Sequence, residues 1–182
     1  MQVQPFDFGK TDFRDLAAKV KDFDPDLIIL NGFQTELVGM VRALQPLSLI
    51  HDGNTIATYD MLDAAKVLAP EELEGIRVVA PVFVTRPDSP TVAKWSKEFQ
   101  DKFGKSPLYT HAFAYDMALI LQDAAKRLRN SPTHDEWMTA LHATDLQGIT
   151  GTLKFDNEGD LLTPLEVGVC TNGVLAPDFV GK

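Results

Sequence analysis

Residues 12–80 alternate amphipathic stretches with short apolar runs three times over, the pattern that parallel βαβ units leave in a sequence. Asp12 can cap a helix whose apolar residues Phe13, Leu16, Ala17, Val20 and Phe23 recur at spacings of three and four, and Pro25 ends it. Leu27-Ile28-Ile29-Leu30 is continuously apolar rather than alternating, so it reads as a strand buried on both faces. Asn31-Gly32 stops that strand. Thr35 can cap a second helix through Leu37, Met40, Val41 and Leu44, and Pro46 leads to a second expected strand, Leu47 to Ile50, closed by His51-Asp52-Gly53. A third helix through Met61, Leu62, Ala65 and Leu68 passes Pro70 and Gly75 into a third strand, Ile76 to Ala80.

Beyond Pro81 the pattern changes. Val82 to Pro90 reads as a crossing linker punctuated by Pro87 and Pro90. Ser89 and Pro90 open a helix presenting Val92, Trp95, Phe99 and Phe103, which Gly104 ends. A longer helix carries the stripe Phe113, Met117, Ile120, Leu121, Ala124 and Leu128. Thr133-His134-Asp135-Glu136 has the form of a capping box opening a third. Strands return only at Thr152 to Phe155 and Leu165 to Cys170, around the turn Asp156-Asn157-Glu158-Gly159-Asp160, with a second tight turn at Thr171-Asn172-Gly173. Three amphipathic helices need an apolar surface to cover, and this half supplies few strands. Either the helices form a small bundle with the terminal hairpin, or they pack on a sheet from residues outside this chain, the reading we favour.

Composition narrows the function. The 182 residues are 45% hydrophobic and 24% charged, as in an ordinary globular protein, and the net charge of −9 with scattered Lys and Arg disfavours a nucleic-acid partner. The N-terminal Met1-Gln2-Val3-Gln4-Pro5 lacks the positive start and apolar run of a secretory signal. One cysteine, Cys170, allows no intrachain disulfide and no multi-thiolate metal site, and its strand setting without a positive neighbour suits an inert core thiol. No cofactor is expected. Phe103-Gly104-Lys105-Ser106 resembles the tail of a phosphate-binding loop, but Phe99 stands where its first glycine is required. The acidic turn at 156–160 has its glycine fourth instead of sixth, unlike a calcium loop. His51, His111, His134 and His142 lack the spacing of a helical zinc pair, and no Gly-x-Ser-x-Gly elbow occurs.

One constellation passes this filter. Ligands of open parallel sheets bind outside the carboxyl ends of the strands, which by the reading above are Asn31-Gly32-Phe33 and His51-Asp52-Gly53. The glycines allow close backbone approach, Phe33 offers an aromatic wall, and Asp52 offers a charge for a cationic group. The same residues also fit ordinary turns after strands.

Lys10-Thr11-Asp12-Phe13 and Pro25 to Gly32 resemble the second lobe of type I periplasmic binding proteins of the branched-chain amino acid class. Glu74-Gly75-Ile76, Phe99 to Gly104, Ala114 to Ala118, Gly148 to Asp156 with Gly159-Asp160, and Asn172-Gly173 resemble that family in the same order. The resemblance implies an α/β fold: residues 1–80 as a second-lobe parallel βαβ unit, 81–89 as a hinge or crossover, and 90–182 as the C-terminal part of an incomplete first lobe, helices plus terminal hairpin. It implies a solute receptor of an ABC importer, not an enzyme, periplasmic or otherwise extracytoplasmic, closing on a small ligand such as an amino acid and partnered by a membrane permease. An acid at the place of Asp52 would hold the ligand's ammonium and an aromatic at the place of Phe33 would line the site. The family commonly has tyrosine there, so Phe33 lacks a hydroxyl, and Asn31, Gly32, His51 and Gly53 are neighbours. Family members are about twice as long, which implies a missing N-terminal lobe, or a second copy in its place. The rival function is a ligand-sensing domain of a receptor or regulator. An enzyme of flavodoxin-like fold would need a phosphate-cradling loop or an acid–base pair, and neither is found.

Overall fold

The computed structural model describes residues 1–51, 53–162 and 164–177. In chain order its first elements are α1 (Arg14–Phe23), β1 (Ile28–Leu30), α2 (Gln34–Leu44), a 3-10 turn (Gln45–Leu47), β2 (Thr55–Ala57), α3 (Met61–Ala64), α4 (Pro70–Leu73) and β3 (Arg77–Pro81). There follow α5 (Val82–Thr85), α6 (Pro90–Phe103), α7 (Tyr109–Arg127) and α8 (His134–His142). The last are β4 (Asp145–Gln147), β5 (Thr152–Lys154), β6 (Leu165–Thr171) and β7 (Val174–Pro177). The chain divides into two compact units: residues 1–80 with the described residues from Glu166 onward, and residues 81–165.

The first unit is built on a sheet of order β1-β2-β3-β6-β7. β1 and β2 run parallel with Ile28 opposite Thr55 and Leu30 opposite Ala57, and β2 runs parallel to β3 with Ile56 opposite Arg77. Its core holds Leu37 and Val41 of α2, Met61 of α3, and Ile76 and Val78, all buried. α1 starts one residue later than expected. Phe13 is its N-cap, and Asp12 accepts the Arg14 N–H at 3.1 Å from just outside.

The second expected strand is displaced. Leu47 to Ile50 form no strand: Pro46 sits in the 3-10 turn and Ser48 takes a left-handed φ of 56°, which breaks an extended run. Ile50 is apolar because it is buried. Asn54 staples this loop, accepting the His51 N–H at 3.0 Å on Oδ1 and donating from Nδ2 to the Leu49 carbonyl at 2.9 Å. The strand then begins at Thr55.

The terminal hairpin also differs from expectation. It belongs with the parallel sheet of the first unit and not with the helices of 90–165. The edge beyond β2 and β3 offers it main-chain partners: the Gly75 N–H donates to the Cys170 carbonyl at 3.0 Å and the Cys170 N–H to the Ile76 carbonyl at 2.9 Å. Asn172 and Gly173, both at positive φ, turn β6 back into antiparallel β7, with Cys170 opposite Leu175. Cys170 is buried, and burial, with the charge of Glu74 added, pushes its thiol up to about 11. Its reaction with a disulfide reagent at neutral pH is therefore expected to run roughly 100-fold or more slower in native than in denatured protein. Equal rates in the two states would refute the burial.

The second unit packs around Trp95 of α6, with Phe83, Val92, Ala112 and Ile149 buried beside it. Phe83 meets the Trp95 ring edge-on at 5.8 Å. The segment read as a crossing linker carries the helical turn α5, closed by the Arg86 N–H on the Val82 carbonyl. Gly104, at φ 69°, ends α6, and the Thr133–Glu136 capping box opens α8 with both reciprocal bonds formed. On α7 the buried face is Ala112, Asp116, Ile120 and Ala124. The expected stripe is thus half right, because Met117 and Leu121 are 62% and 48% exposed. Asp116 turns that face inward. Its carboxylate accepts the Ile149 and Thr150 N–H groups at 2.8 Å each and the Thr150 hydroxyl at 2.7 Å. These bonds hold the turn that joins β4 to β5, which pair antiparallel; β5 therefore does not pair with β6 across the 156–160 turn. That turn closes on itself, with Asp156 Oδ1 accepting the Glu158 and Asp160 N–H groups at 2.9 Å.

Candidate functional site

Because β2 spans 55–57, the strand carboxyl ends of the first unit differ from those read in the sequence. Asn31, Gly32 and Phe33 do follow the carboxyl end of β1. His51 and Gly53 precede β2, so they lie at the opposite end of the parallel pair, where the Asn54 carbonyl accepts the Ile28 N–H at 2.8 Å. Three residues of strand, about 10 Å, separate the two ends. His51 is exposed, with its ring Nε2 3.3 Å from Asn54 Nδ2. Gly53, at φ 70°, gives its carbonyl to the Arg77 guanidinium, which a side chain at 53 would strike. Both are turn residues. Asp52 lies outside the described residues.

The residues that do follow β2 are Thr58, Tyr59 and Asp60, which sequence reasoning passed over. The Thr58 N–H donates to the Leu30 carbonyl at 3.2 Å, which sets the two carboxyl ends side by side. Gln34 Nε2 donates to the Asp63 carbonyl at 2.8 Å and ties the beginnings of α2 and α3 together above them. Phe33, the N-cap of α2, is 60% exposed and is met edge-on by Phe8 at 5.8 Å. Tyr59 is partly exposed and Asp60 half-buried at the N-cap of α3. Thr58 Oγ1 is buried without a hydrogen-bond partner. Gly32 sits in a tight approach: a side chain there would begin 3.1 Å from Glu36 Cβ.

Glu36, in the first turn of α2, adds a buried charge. Its Oε1 accepts the Gly9 N–H at 2.7 Å, while Oε2 has no hydrogen-bond partner. The Gly9 bond chiefly, then the backbone amides of Glu36 and Phe33, hold its pKa below the ordinary 4.5 against the opposing effect of burial. A carboxyl depressed in the folded state stabilises above its unfolded pKa, and that contribution disappears as pH falls through the lower folded value. Urea unfolding of wild type and Glu36→Gln is expected to differ at neutral pH, with the gap narrowing as pH falls below the ordinary carboxylate value and through the lower folded one. A gap independent of pH would contradict the assignment.

The half-buried Asp60 carboxylate, two aromatic rings and an unpaired hydroxyl at adjoining strand ends can receive a small ligand bearing a cationic group, through charge, a π face and a hydrogen bond. Among the described residues no cluster of three or more His, Cys, Asp or Glu side chains is placed to hold a metal.

An α/β unit of this kind has the fold of type I periplasmic binding proteins. Residues 1–169 match the family model described as periplasmic binding protein, and the chain belongs to that family. Among solved structures, it is similar to a leucine-binding protein, LivK, of Thermotoga maritima (23% identity, TM-score 0.75), covering 95% of this chain and 49% of that one. It is similar to LivJ of Streptococcus pneumoniae, a branched-chain amino acid transporter substrate-binding protein in complex with isoleucine (20%, TM-score 0.74), covering 93% and 48%. A third is an ABC transporter solute-binding protein of R. palustris in complex with benzoate (15%, TM-score 0.75), covering 94% and 47%. The chain thus spans about half the length of these solved relatives. No curated protein matches it.

Proposed function

We propose that this chain is the ligand-contacting portion of a solute-binding protein that feeds an ABC importer, acting outside the cytoplasm with a membrane permease as partner. Its task is recognition and not catalysis. The ligand is an amino acid or a related small carboxylate or amide. The observation that carries this reading is the juxtaposition of Phe33 with Thr58, Tyr59 and Asp60 at neighbouring strand ends, where Thr58 Oγ1 is buried and unpaired. Asp60 takes the role that the family resemblance gave to Asp52: a counter-charge for the ligand's ammonium. Names among the solved relatives support both an amino acid and an aromatic carboxylate as ligand classes.

A zwitterion needs partners for both of its ends, because an unpaired charge taken out of water costs several kcal/mol. The first unit supplies an acidic and aromatic half. Groups for the ligand carboxylate come from residues beyond this chain, in a two-lobed protein of about twice its length. Thermal-shift screening of that native polypeptide against leucine, isoleucine and benzoate tests the proposal. A stabilisation of several degrees by one of them is expected, and a folded protein that responds to no amino acid, amide or carboxylate would refute it.

A further inference from the structure

The segment before α1 makes a tight turn with an exposed aromatic ring at its tip. The Lys10 N–H donates to the Asp7 carbonyl at 3.2 Å, which puts Phe8 and Gly9 at the two central positions, and Gly9 at φ 83° gives the turn its type II form. Both sides of the turn are pinned. The Gly9 N–H donates to Glu36 Oε1 of α2 at 2.7 Å, and Phe6 meets the buried ring of Phe13, the N-cap of α1, edge-on at 5.1 Å. The first of these anchors is costly for a surface turn, because Glu36 is almost fully buried and its other oxygen has no hydrogen-bond partner. What it fixes in place is Phe8. That ring is 83% exposed and stands edge-on to Phe33 at 5.8 Å, their planes 80° apart. Single exposed apolar side chains are ordinary, whereas two exposed rings in contact beside a strand's carboxyl end, one of them held there by a buried charge, fit a surface presented to a ligand.

We propose that Phe8 is a specificity-determining residue: its ring and that of Phe33 form a right-angled apolar corner that receives the ligand's side chain and selects an aromatic amino acid over a small one. This rests on the proposed function and adds to it the class of side chain. Asp60 follows β2 and Phe33 follows β1, and neighbouring strands lie about 4.8 Å apart. A ligand with its ammonium on Asp60 therefore carries its apolar part over the end of β1, toward Phe33 and Phe8. A flat ring fills the corner best, since it can stack on one wall and meet the other edge-on at the separations of about 4.5–7 Å that ring pairs prefer. A branched aliphatic side chain fills it in part, and a methyl group leaves it empty.

Calorimetric affinities of phenylalanine, isoleucine and alanine for the two-lobed protein proposed above, as wild type, Phe8→Ala and Phe8→Tyr, test it. The three ligands share an ammonium and a carboxylate, so the comparison reads the side chain alone. Phe8→Ala is expected to weaken phenylalanine by about tenfold and isoleucine by about threefold, and to leave alanine within about twofold. Phe8→Tyr keeps the ring and binds phenylalanine as the wild type does. Because the ring is 83% exposed, neither variant changes the melting temperature of the unliganded protein. The inference is overturned, with the proposed function intact, if Phe8→Ala weakens all three ligands equally or none of them, or if the wild type binds alanine as tightly as phenylalanine. A lower melting temperature with unchanged affinities overturns it too, and makes Phe8 a packing contact for the other lobe. If the wild type binds none of the three, the amino acid reading itself fails and the inference falls with it.

Discussion

Replacing Asp116 by alanine is expected to unfold the second unit at temperatures where the wild type is native. The carboxylate is almost fully buried and satisfies three donors from Ile149 and Thr150. Removing it strands two buried N–H groups and a hydroxyl, a loss of about 3–5 kcal/mol. At roughly 4–8 °C per kcal/mol for a unit of this size, the melting temperature drops by some tens of degrees. Both tryptophans, Trp95 and Trp137, lie in this unit, so fluorescence reports on it selectively. Thr150→Val removes only the hydroxyl and costs about 1 kcal/mol. Gly148 belongs to the same device, because a side chain there would begin 2.6 Å from Asp116 Oδ1. An alanine variant melting within about 3 °C of wild type would mean that the turn is held by something else.

The second large effect concerns the ligand. In the two-lobed protein proposed above, Asp60→Asn is expected to weaken amino acid binding by about 100-fold, or about 2.7 kcal/mol, with the melting temperature unchanged. Asp52→Asn is expected to leave the affinity as it was. The pair of variants separates the two acids. Loss of binding on changing Asp52 with Asp60 silent would return the counter-charge to the position that the sequence alone suggested. A variant at 60 that unfolds would make Asp60 a helix cap and remove it from the site.

Where sequence and structure diverge, the reason is physical and local. β1 was legible because Leu27 to Leu30 is bounded by Pro25 and Asn31-Gly32, and Phe33 accordingly follows its carboxyl end. β2 was not, because Leu47 to Ile50 is the more apolar run, and a buried loop residue such as Ile50 carries the same hydropathy as a strand. The signal for the true strand was the β-branched Thr55-Ile56 after the Asp52-Gly53 turn, with Tyr59-Asp60 behind it. That shift of a few residues puts Thr58, Tyr59 and Asp60, and not His51 and Gly53, at the carboxyl end of β2. The helix ends at Phe103-Gly104 and the Thr133 capping box were legible since their chemistry is local. The buried face of α7 was not, since its choice between Asp116 and Met117 depends on a turn more than thirty residues away. The partner of the terminal hairpin is likewise a long-range matter, settled by Cys170 meeting Gly75 and Ile76 across the chain.

Calorimetric titration of isoleucine into the proposed two-lobed polypeptide, and in parallel into the 182-residue chain, tests the central claim most directly. Saturable binding at one site per molecule is predicted for the whole, with binding to the chain alone weaker by about 1,000-fold or undetectable. If the chain alone binds as tightly as the whole, or if the folded whole binds no amino acid, amide or small carboxylate, the half-site at Phe33 and Asp60 is not what this protein uses.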